Sequence, residues 1–60
     1  QNGNNNYIFF DDLLDNLKNA RIMGWTTVWI SPHYKDAHKY TFLNTAFPTL
    51  KHALDTLSFI

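Results

Sequence analysis

Two adjacent carboxylates, Asp11 and Asp12, close the apolar run Tyr7–Phe10 and stand at the start of a helical pattern. Paired acids at the end of a strand suit a hard, oxygen-seeking cation such as Mg²⁺, which takes one or two protein carboxylates and completes its shell with water and substrate phosphate. The same residue type is also a preferred helix cap and is favoured at the positive end of the helix dipole. On that reading Asp12 caps while Asp15 assists from the first turn. A second carboxylate beside the first adds repulsion that capping does not need. Spacing alone leaves both readings open.

Other residues with chemical potential have plainer expectations. His33 and His38 stand five apart in a polar stretch with only Asp36 nearby, and His52 follows Lys51 on a helical face, so all three are expected at the surface. Trp25 and Trp29 share one face of a strand; stacking on a base is conceivable, but core packing is the expectation. Ser31 follows a strand without the glycines of a nucleophile elbow and reads as a turn residue. The stretch "HYKDAHKY" interleaves basic and aromatic residues but is too short and too balanced to claim RNA.

The elements that must position these groups follow from periodicity. Residues 1–6, "QNGNNN", read as a polar loop, and the folded part is expected over 7–60. Tyr7–Phe10 is a continuous apolar run of the kind found in buried parallel strands. From Leu13 to Met23 the period becomes helical: Leu13, Leu17, Ala20 and Gly24 fall on one face. Asp15 and Lys18 then form an i,i+3 pair, and Gly24 supplies a left-handed terminus. "WTTVWI" (Trp25–Ile30) is a second strand, stopped by Ser31-Pro32. Residues 33–39 are expected as a loop with at most one helical turn, and Thr41–Leu43 as a short third strand. Pro48 sits where the first turn of a helix tolerates it, and Leu50, Ala53, Leu54 and Leu57 mark an amphipathic helix. The order β-α-β-loop-β-α predicts an α/β fold with parallel strands, part of a Rossmann-like three-layer sandwich.

Composition narrows the function classes. The chain has 60 residues, no cysteine and a formal net charge of zero, with 45% hydrophobic and 17% aromatic residues. Disulfides and thiolate zinc sites are excluded, and scattered basic residues give no footprint for nucleic acid or an anionic membrane. No apolar run approaches the ~20 residues that span a bilayer, so the expectation is a soluble, cytoplasmic protein. The aromatic content is that of a packed core, while domains below about 70–80 residues usually need a staple or a partner. A piece of a larger protein, or a chain that docks on another, is expected.

The stretch "FFDDLLDNLKNARIMGWTTVWIS" resembles the fourth motif of the haloacid dehalogenase-like hydrolase superfamily, and within it the pyrimidine 5′-nucleotidase-type branch. The pattern there is an apolar strand, an acidic pair, Asn or Asp four residues on, then Ala and Gly before a β-strand. Here those places hold Phe9-Phe10, Asp11-Asp12, Asn16, Ala20, Gly24 and Thr26-Thr27-Val28. "YTFLNTAFPTLKHAL" is similar to the family's closing strand and last helix, a less specific match. The resemblance implies that Asp12 binds a catalytic Mg²⁺ directly, that Asp11 acts through metal-bound water, and that Asn16 orients the loop. Leu13 departs from the small polar residue common after the acidic pair.

The resemblance also implies parts that this sequence lacks. The family's Asp-x-Asp nucleophile motif is absent, and none of the ten residues before Asp11 is the Lys that holds the phosphoryl group. The expectation is therefore the C-terminal segment of a Mg²⁺-dependent phosphomonoesterase, acting with the missing N-terminal part of the domain on a phosphomonoester or nucleotide. Alone, the sixty residues are expected not to turn over substrate. Two other classes remain. A phospho-receiver domain also opens with a strand, an acidic pair and a helix, but its phosphorylated Asp ends a later strand, and the late candidate here, Asp55, lies within "LKHALDTL". A non-catalytic interaction module would instead show exposed apolar area.

Overall fold

The computed structural model of the chain describes residues 6–57. The order is β1 (Ile8–Asp11), α1 (Leu14–Ile22), β2 (Thr26–Ile30), a 3-10 helix (Tyr34–Lys39), β3 (Thr45–Phe47) and α2 (Leu50–Leu57). The three strands form one parallel sheet in the order β1-β2-β3. This is the expected α/β class with parallel strands. Apart from Asn6, the polar loop expected over 1–6 lies outside the described residues.

β1 runs one residue further than the apolar pattern marks, so Asp11 belongs to the strand and pairs in register with Trp29. That register carries β1 and β2 to the same edge of the sheet, where their carboxyl ends open. α1 packs against both strands, and Leu17 and Ala20 are its buried residues. Leu13 and Gly24, expected on the same face, lie outside the helix. Leu13 takes extended angles (φ −93, ψ 119) as its N-cap and is exposed. The chain leaves α1 through two hydrogen bonds, Gly24 N–H to the Arg21 carbonyl (2.9 Å) and Trp25 N–H to the Ala20 carbonyl (3.0 Å). This paired closure needs a left-handed residue between helix and strand, and Gly24 provides it at φ 86. Among the described residues the ion pairs are Asp36–Lys39 and Lys51–Asp55; Asp15 and Lys18 do not form the expected one.

The third strand is displaced from its expected place. Thr41–Leu43 lie in a turn, and β3 follows at Thr45–Phe47. The cause is Thr27, which has no exposed surface. Its hydroxyl donates to the Phe42 carbonyl (2.6 Å), its amide donates to Asn44 Oδ1 (2.9 Å), and its carbonyl accepts from the Asn44 amide (3.1 Å). Arg21 Nη1 donates to the same Asn44 oxygen (2.8 Å). This anchor uses the backbone groups that a strand at Thr41–Leu43 would need, so pairing begins only at Val28 opposite Thr45.

Pro48 stands before α2 rather than in its first turn. Thr49 is the cap, its hydroxyl accepting from the His52 amide (3.1 Å). α2 packs on β3 and buries Ala53 completely, with Leu50 and Leu54 nearly half exposed. No helix among the described residues is long and apolar enough to cross a membrane.

Candidate metal centre

The two carboxylates are not equivalent. Asp11 Oδ1 accepts hydrogen bonds from the Asp12 amide (2.7 Å) and the Leu13 amide (3.2 Å), and Oδ2 accepts from Asn16 Nδ2 (2.9 Å). Asp11, not Asp12, thus holds the entry to α1. The Asn16 amide is the first cause holding Asp11 below its ordinary pKa; partial burial opposes it, and the Leu13 and Asp12 groups add to the lowering. A carboxylate that accepts several N–H donors is stabilised in its charged form.

No side chain caps α1, whose N-cap is Leu13, so the structure does not give the helix cap expected of Asp12. The residue is exposed, and its position is set by the main chain: the amide is held by Asp11, and the carbonyl accepts from Trp29 Nε1 (3.1 Å). Two open depressions meet at it, each of about 570 Å³. One is bounded by Phe10, Ile30, Pro32 and Leu50; the other runs along the start of α1 toward Asn16 and His33. Ser31 belongs to both, and it is buried at the end of β2 with its hydroxyl accepting from the His33 amide (3.0 Å). Asp12 therefore stands at the carboxyl edge of a parallel sheet, where ligands of such sheets gather.

The donor set fits a hard cation in a limited sense. Asp12 offers hard oxygens at a solvent-open position, whereas both oxygens of Asp11 are already engaged by N–H donors. One direct carboxylate with a second acting through water is a set that Mg²⁺ accepts. Among the described residues no group of three or more His, Cys, Asp or Glu side chains gathers around a common point.

The remaining candidates lie apart from this edge or at its rim. His33, His38 and His52 are exposed; His38 Nδ1 lies 3.1 Å from the Lys35 carbonyl oxygen, and His52 rests 5.6 Å from the Phe47 ring. Trp25 packs on Tyr7 and Phe9. Trp29 is buried and meets Tyr40 edge-on.

The chain matches no family model, no curated protein and no solved structure.

Trp29, expected in the core, has a further role at this site that its sequence position did not suggest. The available signal was chemical: a buried indole needs an acceptor for its N–H. Periodicity could not say that the acceptor is Asp12, seventeen residues earlier in the chain.

Proposed function

We propose that this chain supplies the acidic, Mg²⁺-binding corner of a phosphomonoester hydrolase of the haloacid dehalogenase type, with a nucleotide of the pyrimidine class as the narrower candidate substrate. The observation that carries the reading is the division of labour within the acidic pair. Asp11 is consumed by the loop and by Asn16, which leaves Asp12 held by its backbone with its carboxylate at the open edge of the sheet. Ordering the loop before α1 would need only the first of these residues. Three parallel strands in one sheet are compatible with the same reading. A cytoplasmic location belongs to the same proposal.

In that enzyme Asp12 would ligate the cation, Asp11 would act on it through water, and Asn16 would hold Asp11 in place. Bound Mg²⁺ supplies charge neutralisation at the phosphoryl oxygens. No residue here is assigned as the nucleophile, so this chain alone is not expected to hydrolyse a phosphomonoester. The receiver alternative gains nothing from the structure: Asp55 lies within α2, exposed and paired with Lys51 at 2.9 Å, away from any strand end.

Titration of the isolated chain with paramagnetic Mn²⁺, followed by amide resonance broadening, tests the reading. The expected result is weak binding, of millimolar order, that broadens Asp12 and Leu13 first and is lost in Asp12→Asn. Broadening centred on Asp36 or Asp55, or spread evenly over all acidic residues, would overturn it.

A further inference from the structure

We propose that Trp29 is a positioning residue for Asp12, setting from the neighbouring strand how firmly the acidic loop presents its carboxylate to a cation. The inference rests on the reading of Asp12 as the metal ligand and adds a residue that reading does not contain. Trp29 lies in β2, is 5% exposed and stands in register with Asp11. Its indole N–H can only donate, and the group it reaches is the Asp12 carbonyl, 3.1 Å away. The amide on the other side of Asp12 is held at 2.7 Å by Asp11 Oδ1. Both peptide units flanking the Asp12 Cα are therefore tied, one by its own loop and one by β2.

The clamp is itself supported. Tyr40 meets the Trp29 ring edge-on at 5.6 Å and 75°, which limits rotation of the indole away from the loop. A ligand whose backbone is ordered before binding loses less freedom when the cation arrives, and sites whose supporting groups are fixed hold their geometry better. Packing alone would account for a large aromatic residue at this position, but it would not require the ring nitrogen. The N–H is what separates the two roles.

The experiment replaces that N–H and little else. A chain of 60 residues is within reach of chemical synthesis, so Trp29 can be exchanged for benzothienylalanine, in which sulfur stands where the indole carries N–H. Trp29→Phe provides an encoded second variant. Mn²⁺ affinity at Asp12 is read by resonance broadening, and loop order by hydrogen exchange of the Asp12 amide, with the Thr26 amide, bonded to the Tyr7 carbonyl at 2.8 Å, as the control. The expected result is Mn²⁺ binding weakened about tenfold, at the low end of what partners behind a ligand contribute. Asp12 exchange should quicken while Thr26 exchange stays unchanged. Unaltered Mn²⁺ affinity in the benzothienyl chain overturns the inference, whether or not exchange quickens. Equal acceleration at Thr26 also overturns it, because the ring would then be serving the sheet as a whole. A parent chain without focused broadening at Asp12 removes the metal reading and this inference together. A parent that binds beside an analogue that binds equally well removes only the inference.

Discussion

At the scale of single residues, the acidic pair shows how identical side chains one position apart acquire different roles. Asp11 accepts from two backbone amides and from Asn16, while Asp12 stays exposed. Asn16 is the first cause of the depressed Asp11 pKa, so Asn16→Ala should raise that pKa toward the ordinary carboxylate value. A ¹³C carboxyl titration checks it, and an unmoved midpoint would contradict the assignment. The sign of the linked stability follows. Because the folded pKa lies below the unfolded value of about 3.9, Asp11 contributes stability above that pH and loses it as pH falls through its folded value. Asn16→Ala should shrink that acid-sensitive contribution. Types and spacing marked Asp11 and Asp12 in the sequence, and the family resemblance added Asn16. Which acid would tie the loop and which would stay open was not legible from spacing. It depends on Asp11 lying inside β1 and on the Trp29 indole reaching across from β2, and neither is encoded in local spacing.

At the scale of elements, local signals succeeded where backbone geometry itself made the demand. Gly24 ends α1 in the left-handed region at φ 86, and only that conformation lets the paired bonds to Arg21 and Ala20 close the helix. A Cβ on Gly24 would meet nothing within 4 Å, so any cost of Gly24→Ala comes from backbone strain rather than collision. That cost should be roughly 1–2 kcal/mol, with Gly24→Asn losing less because Asn visits this region more readily. Urea unfolding midpoints at unchanged slope would measure both; equal stability of the three chains would contradict the strain argument. The signals failed where a distant side chain intervened. Thr41-Phe42-Leu43 has strand composition, yet Thr27 claims the Phe42 carbonyl and Asn44 claims the edge of β2. β3 then begins after the anchor, at Thr45. Propensity is a weak guide against a partly buried hydrogen-bond node assembled from residues seventeen apart. The same limit explains Pro48, whose compatibility with a first turn was legible, whereas the Thr49 cap that pushes it outside α2 was not.

At the scale of the whole molecule, the sheet is covered unevenly. Leu17, Ala20, Val28, Trp29 and Ala53 are the buried apolar residues among those described, while Tyr7, Ile8, Leu50 and Leu54 are each more than two-fifths exposed. A chain this small buries only about 60% of its unfolded surface, and folded proteins hold roughly 0.05–0.15 kcal/mol of stability per residue. Its stability should therefore rest on a few contacts, and α2 offers a direct comparison. Ala53 is fully buried, and Leu54, the next residue, is 45% exposed. Extra methylenes forced into a packed site cost about 1–3 kcal/mol, whereas surface changes usually stay within about 0.5 kcal/mol. Ala53→Leu should therefore lower the unfolding midpoint sharply, and Leu54→Gln should leave it nearly in place. Both substitutions leave charge and helix length unaltered, so urea unfolding of the pair isolates burial. If Leu54→Gln proved the more damaging change, the outer face of α2 would be covered in solution by another part of the protein or by a partner. The stability of this chain would then have to be measured together with whatever covers that face.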